Sequence, residues 1–286
     1  MAAVLDREEY IEQAYFFRTM RERVAAQIPT QEILERIHEE ILSTTRLPLA
    51  IQFLATELKH SGLLSTGFAR LGHYFTPFQT FVVTQTEDEK TRFSLEAGLL
   101  VLEREAQYRS GQLTPQGLFV YQFETLSRNR LGYEPGLESM HADPLYDADW
   151  RRYLETVRKQ LGAVDFADLI YLRSQFYVME QERKDPDYRP PVAPLFGEKE
   201  GKIARANRGR DPLYLFAALQ RQLGYPEVPR PKPRDDVGAR LDVIMVKLRE
   251  LEARIKLIEG EVKGQVDLSQ FMAKAEELPP GPDEDA

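Results

Sequence analysis

The strongest constraint on the fold is the regular marking of helix boundaries along the chain. Three capping residues directly precede a proline that suits a first helical turn, at Thr76-Pro77, Thr114-Pro115 and Asp211-Pro212. Leucine-glycine pairs predict helix ends in a left-handed residue at Gly132, Gly162 and Gly224. Between these signals, apolar residues recur at helical spacing, whereas strand-like alternation is scarce. The sequence therefore predicts an all-α fold.

The apolar spacing predicts eight helices, at about 7–27, 31–43, 48–62, 76–109, 115–130, 149–161, 166–183 and 212–223. Asp6 and Glu9 have the spacing of a capping box at the start of the first helix. That helix should turn its apolar side chains inward, namely Tyr10, Ile11, Ala14, Phe17, Met20 and Val24. The second should bury Ile33, Leu34, Ile37 and Ile41. The 76–109 helix would be roughly 50 Å long.

Proline-rich segments divide the chain into regions. Residues 1–225 form the expected globular body, in which four prolines and Gly197 interrupt regular structure near 184–210. That stretch is either a wrapping loop or a connection between two subdomains. The prolines over 226–236 predict a stiff linker. A coiled-coil helix is expected over 237–264 and a flexible acidic tail over 265–286.

The helix after the linker carries an unbroken heptad pattern. Its apolar residues follow one another at alternating steps of four and three, at Val237, Leu241, Ile244, Leu248, Leu251, Ile255, Ile258 and Val262. This set, the heptad seam, is typical of the core positions of a coiled coil between chains. In the alternative arrangement the helix folds back on its own body, which the apolar residues outside the seam would allow, namely Val243, Met245 and Leu257.

Charged residues beside the heptad seam favour parallel pairing. With Leu248 at an a position, Lys247 and Arg254 occupy g positions, and Glu252 and Glu259 occupy e positions. In a parallel pair, g of one chain faces the following e of its partner, so each contact joins opposite charges. An antiparallel pair would place like charges together. The core residues favour three or four strands in places, and we expect a homodimer because it is the commonest oligomer.

Composition and charge exclude several classes of function. The chain has no cysteine, which rules out disulfides, thiolate metal sites and cysteine nucleophiles. Its formal net charge of −8 is too acidic for a protein that coats nucleic acid with its whole surface. The first residues lack a secretory signal, and no apolar run has the length of a membrane span. We therefore expect a cytoplasmic protein.

A metal-binding interpretation comes from two Glu-x-x-His pairs, Glu35 with His38 and Glu57 with His60. Residues at this spacing share a helix face, as in ferritin-like carboxylate proteins. Glu96 would add a further carboxylate, and iron, manganese or zinc would be the metal. However, both pairs lie on short neighbouring helices, and His60 lies where a helix end attracts cations. Salt bridges or capping are the simpler expectation for these residues.

A basic segment follows the proline-rich stretch of the body. Its cations recur near every third residue, at Lys199, Lys202, Arg205, Arg208 and Arg210. A short helix or turn would present them as one ridge to nucleic acid or another polyanion. Aromatic residues for base stacking do not alternate with them, and the acidic chain offers many carboxylates for pairing. We therefore expect contacts within the chain.

No phosphate-binding loop, dinucleotide fingerprint, nucleophile elbow or HExxH zinc motif occurs in the sequence. The four histidines are few for acid-base catalysis. We expect a non-enzymatic, homo-oligomeric scaffold or adaptor without a cofactor, assembled through the heptad seam. As an adaptor it would also bind another protein, which the sequence does not identify. A metal-binding helical protein and a polyanion-binding regulator are the alternatives.

Overall fold

The computed structural model describes residues 4–88, 90, 93–230, 244–252 and 254–255. The chain divides into two units, with the boundary after Pro231. The described residues contain no β-strand, which confirms the all-α prediction. The described residues of the first unit form thirteen helices, α1 (Arg7–Ala25), α2 (Thr30–Ile37), α3 (Leu47–Ser61), α4 (Leu64–Arg70), α5 (Pro77–Glu87), α6 (Leu95–Ser110), α7 (Pro115–Asn129), α8 (Tyr133–His141), α9 (Ala148–Gln160), α10 (Phe166–Leu172), α11 (Gln175–Glu182), α12 (Glu198–Ala206) and α13 (Pro212–Leu223).

Local capping explains where three helices begin. Thr76 accepts a hydrogen bond from the Gln79 backbone N–H, and the Gln79 side chain accepts one in return, which completes a capping box. Thr114 and Asp211 likewise accept hydrogen bonds from N–H groups in the first turns of α7 and α13. All three predicted helix starts are confirmed.

The capping box predicted for Asp6 and Glu9 is wrong. Asp6 directly precedes α1, but its side chain caps no N–H group. Glu9 is buried and accepts hydrogen bonds from the Arg46 backbone N–H at 2.9 Å and from Tyr74 Oη at 2.7 Å. Tertiary contacts therefore use the carboxylate that the local pattern assigns to the helix start.

Two of the three predicted glycine stops are confirmed. Gly162 and Gly224 have φ angles of 88° and 67°, in the left-handed region that suits a residue without a Cβ. The third predicted stop, at Gly132, is wrong. Arg130 takes the left-handed conformation and ends α7, while Gly132 has a φ angle of −61° and precedes α8. The sequence does not predict α8, which is only nine residues long.

The single long helix predicted over 76–109 is wrong, because α5 and α6 replace it. The chain leaves the helical conformation at Asp88, and Ser94 starts α6 by accepting a hydrogen bond from the Ala97 N–H at 3.2 Å. Phe93, just before this cap, is buried. The break lets α5 and α6 pack against each other.

Two further helices are shorter than predicted. The second stops at Ile37 rather than at residue 43. The helix predicted over 166–183 divides into α10 and α11, because the Arg173 carbonyl accepts hydrogen bonds from the N–H groups of Leu195 and Phe196. Ser174 then caps α11. The sequence also does not predict α4, and it assigns α12 only as a short helix or turn.

The core lies around α1, α6 and α7. Leu118, Phe119 and Tyr121 of α7 are fully buried. The Phe119 ring contacts five rings, those of Phe123, Trp150, Tyr153, Phe166 and Phe196. Every apolar residue predicted to be buried in the second helix is buried. In α1, Ile11 is exposed and Phe16 is buried instead, so that part of the prediction is wrong.

The predicted linker is described only over residues 226–230. Val228 is buried, and the Arg104 guanidinium donates a hydrogen bond to the Glu227 carbonyl. These residues therefore pack against the rest of the first unit, to which they belong. In the described part of the chain, no helix is both long enough and apolar enough to cross a bilayer.

Candidate functional site

The structure describes the middle of the heptad seam. Residues 244–252 and 254–255 are helical. The four seam residues in this part have 52–54% of their surface exposed, and they are Ile244, Leu248, Leu251 and Ile255. The flanking Lys247, Glu252 and Arg254 are exposed as well. The remaining seam residues, and the predicted e residue beyond them, lie outside the described residues, namely Val237, Leu241, Ile258, Val262 and Glu259.

The basic segment is largely neutralised by carboxylates of the same chain. Three of its five cations form ion pairs, Lys202 with Glu198, Arg205 with Glu180 and Arg208 with Asp168. The Arg208 guanidinium also lies 4.2 Å from the centroid of the Tyr171 ring. Lys199 and Arg210 form no ion pair with any described residue. Little free charge is left for a polyanion.

The predicted metal ligands are engaged in other contacts or separated. Glu57 is buried and accepts a hydrogen bond from Arg70 Nη1 at 2.6 Å. Glu35 accepts one from Gln31 Nε2 at 2.8 Å, and His60 is exposed. His38 follows α2, and Glu96 lies in the first turn of α6. Among the described residues, no three Asp, Glu or His side chains are grouped as a metal site requires.

A charged cluster in the interior has no counterpart in the sequence-based predictions. The Nε and Nη2 atoms of Arg109 donate hydrogen bonds to Glu105 Oε1 at 2.9 and 2.7 Å, and Nη2 also pairs with Asp143. Gln122 Nε2 donates to the same Glu105 oxygen at 3.1 Å, and Tyr146 Oη donates to Gln122. The three charged side chains have no exposed surface, so a ligand in solvent does not reach them.

Burial raises the pKa of Glu105 in this cluster, while the positive charge of Arg109 acts in the opposite direction. Glu105 Oε2 and Arg109 Nη1 have no hydrogen-bond partner among the described residues. The only signal of this cluster in the sequence is the spacing of four residues between Glu105 and Arg109. Ion pairs on exposed helix surfaces have the same spacing, so it does not indicate burial. The cluster is a structural feature of the core.

Two surface cavities differ in how their charges are compensated. The first, of about 320 Å³, contains two arginines that are already paired, Arg23 with Glu40 and Arg36 with Glu32. The second, of about 250 Å³, lies between α11 and residues 188–194, the proline strap. Arg173 is one of the residues that line this second cavity. Its Nε and Nη2 atoms are buried and have no hydrogen-bond partner in the part of the chain that the structure describes.

No known protein family, curated protein or solved structure matches this chain, so its function is inferred from its own residues and their geometry.

Proposed function

We propose that this protein is a non-enzymatic, cytoplasmic, homo-oligomeric scaffold whose copies associate through a parallel coiled coil along the heptad seam. The observation that carries the proposal is the exposure of Ile244, Leu248, Leu251 and Ile255 at steps of four, three and four on one helix. Apolar side chains with this period form one stripe along a helix, which a second identical stripe covers by interlocking packing.

The free energy available from covering this stripe is substantial. For each seam side chain, burying the half that is now exposed stabilises an assembly by about 1 kcal/mol. An isolated helix of about 12 residues, which is the span of the described part, is marginal in water, because its few hydrogen bonds barely offset the cost of nucleation. Association along the seam supplies the stability that the helix lacks by itself.

Charge complementarity favours a second copy of this chain as the partner. Lys247 and Glu252 are both exposed, and they occupy the g and e positions that face each other between parallel chains. Arg254 has the same relation to Glu259 in the sequence. In an antiparallel pair, each of these cations would face another cation. The seam and its flanks are therefore complementary to themselves in the parallel orientation.

Light scattering of the full chain at tens of micromolar tests this proposal. We expect the wild type to have the mass of a dimer or a larger oligomer and Leu248→Asp to be a monomer, because a buried carboxylate in the seam has no partner. Val246→Asp is the matched control, since Val246 is 60% exposed on the same helix but lies outside the seam. A monomeric wild type, or dissociation of the Val246→Asp variant to the same degree, would contradict the proposal.

A further inference from the structure

We propose that the buried cluster of Glu105, Arg109 and Asp143 stores one proton at neutral pH. In this assignment Glu105 is a neutral carboxylic acid with its proton on Oε2, and Arg109 and Asp143 form the ion pair. All three residues belong to the first unit, so this proposal is independent of the coiled coil.

The cluster contains two carboxyl groups and one cation. The side chains of Glu105, Arg109 and Asp143 have no exposed surface, so water does not stabilise a charge among them. With both carboxyl groups ionised, the cluster would carry one uncompensated negative charge, which is far more costly to bury than an unpaired polar group. A single proton makes the cluster neutral. Burial accordingly raises the pKa of Glu105.

The hydrogen-bond donors distinguish the two carboxyl groups. Asp143 has a donor at each oxygen, because the Leu145 N–H donates to Oδ1 at 3.0 Å and Arg109 Nη2 donates to Oδ2. At Glu105, three N–H donors converge on Oε1, two from Arg109 and one from Gln122. Glu105 Oε2 is buried and has no partner among the described residues. A carboxylic acid accepts through its carbonyl oxygen and carries the proton on the other, so the proton belongs on Glu105 Oε2.

The titratable side chains around the cluster do not supply another charge. Those that face it from neighbouring elements in the described part of the chain are phenols, namely Tyr10 on α1, Tyr121 on α7 and Tyr146 just after α8. Burial raises the pKa of Tyr121 and of Tyr146, so both stay neutral at neutral pH. The Arg109 guanidinium lies 5.9 Å from the centroid of the Tyr10 ring, a contact that stabilises the cation without neutralising it.

A stored proton couples the packing of this region to pH. The cluster joins α6 to α7 through Gln122 and to the residues after α8 through Asp143. An opening that exposes Glu105 to water allows it to ionise above about pH 4.5, so the opening releases one proton and becomes easier as pH rises. The cluster is therefore a pH-sensitive contact between three segments of the core.

Infrared difference spectroscopy of the full chain at neutral pH tests the assignment, because the C=O stretch of a carboxylic acid is separate from the bands of a carboxylate. We expect the wild type to show this acid band and Glu105→Gln to lack it. Glu124→Gln is the matched control and should keep the band, since Glu124 is also buried but pairs with Arg128. Absence of the band from the wild type, or its persistence in Glu105→Gln, would overturn the proposal.

An Asp143→Asn variant tests how the two carboxyl groups divide the charge. Without the Asp143 carboxylate, Arg109 has only Glu105 as a counter-ion in the cluster, so Glu105 should ionise. The acid band should then disappear although Glu105 is still present. An acid band that persists in the folded Asp143→Asn variant would overturn the assignment. The wild-type spectrum requires no variant, so it can contradict the proposal even where a substitution prevents folding.

Discussion

Glu105 and Arg109 lie four residues apart on α6, a spacing that on an exposed helix gives a weak ion pair. In this protein both side chains are fully buried together with Asp143, so one guanidinium is shared by two carboxylates. A buried arrangement of this kind contributes little net stability, but the loss of one partner leaves an uncompensated charge. The cost of burying a charge is seen at Glu105, whose pKa is raised by burial, so that its neutral form is favoured relative to a carboxyl in water.

We predict that Glu105→Gln changes the pH dependence of stability. Because the pKa of Glu105 is raised in the folded state, its contribution to stability is complete below the unfolded value of about 4.5 and is lost as pH rises through the folded pKa. The variant should therefore gain stability relative to the wild type as pH rises above about 4.5.

Urea unfolding between pH 4 and pH 8, followed by tryptophan fluorescence, measures this effect. Trp150 is the only tryptophan and is buried in the first unit, so its emission reports unfolding of that unit. Glu8→Gln at an exposed position of α1 is the control for the change in net charge. Parallel pH profiles for the Glu105→Gln variant and the wild type would contradict the prediction.

At the scale of elements, α5 and α6 approach each other closely at Gly98. A Cβ atom at this position would lie 2.3 Å from Thr86 Cγ2 on the facing helix, well inside the contact distance of two carbons. Glycine is otherwise unfavourable within a helix by about 1 kcal/mol relative to alanine. The close approach of the two helices therefore requires a residue that local helix propensity disfavours.

We predict that Gly98→Ala lowers the free energy of unfolding by about 1–3 kcal/mol, because overpacking outweighs the gain in helix propensity. Thr86→Ser removes the methyl group in question, so the double variant should recover most of the loss. Thermal unfolding of the two single variants and the double variant measures the coupling. Losses that simply add would show that the two residues do not clash.

The orientation of the coiled coil is also a property of one element. We predict that Lys247→Glu weakens self-association about fivefold, because in a parallel dimer it places a carboxylate opposite Glu252 of the other chain at each of the two equivalent contacts. Exchange of both charges in Lys247→Glu/Glu252→Lys should restore the wild-type affinity. Sedimentation equilibrium at low salt measures both dissociation constants. A double variant that remains as weak as the single variant would exclude the parallel register.

At the scale of the whole first unit, the proline strap is attached through Phe196. Phe196 lies just beyond the end of the strap. The Phe196 ring is buried against the rings of Phe119, Trp150 and Tyr153, while most of the strap is exposed or half-buried. The Phe196 ring therefore supplements the hydrogen bonds from the Leu195 and Phe196 N–H groups to the Arg173 carbonyl in holding this irregular segment.

We predict that Phe196→Ala destabilises the first unit by about 3–5 kcal/mol and releases the strap. Limited trypsin digestion should then cut after Lys184, which is exposed beside the strap. Val192→Ala is the matched control, because Val192 is 40% exposed on the same segment. Equal resistance of the Phe196→Ala variant and the wild type to trypsin would contradict the proposed anchor.

Short-range signals in the sequence predicted much of the helical architecture and little of the candidate sites. Thr76 and Thr114 were recognisable as helix starts, because a capping residue and its N–H partner lie three residues apart. Arg173 was indistinguishable from an ordinary helix residue, because its unpaired donors depend on a strap that returns some twenty residues later. Spacing within one segment does not encode which distant groups will surround a side chain.

By itself, the sequence determined the helical class, the starts of α5, α7 and α13, and the heptad spacing of Ile244 to Ile255, because each depends on residues within one or two turns of one another. Only the tertiary structure decided the break between α5 and α6, the partners of Glu57 and Arg109, and the isolation of Arg173. Those outcomes depend on packing between distant segments, where burial and the presence of a counter-ion determine the state of a charged group.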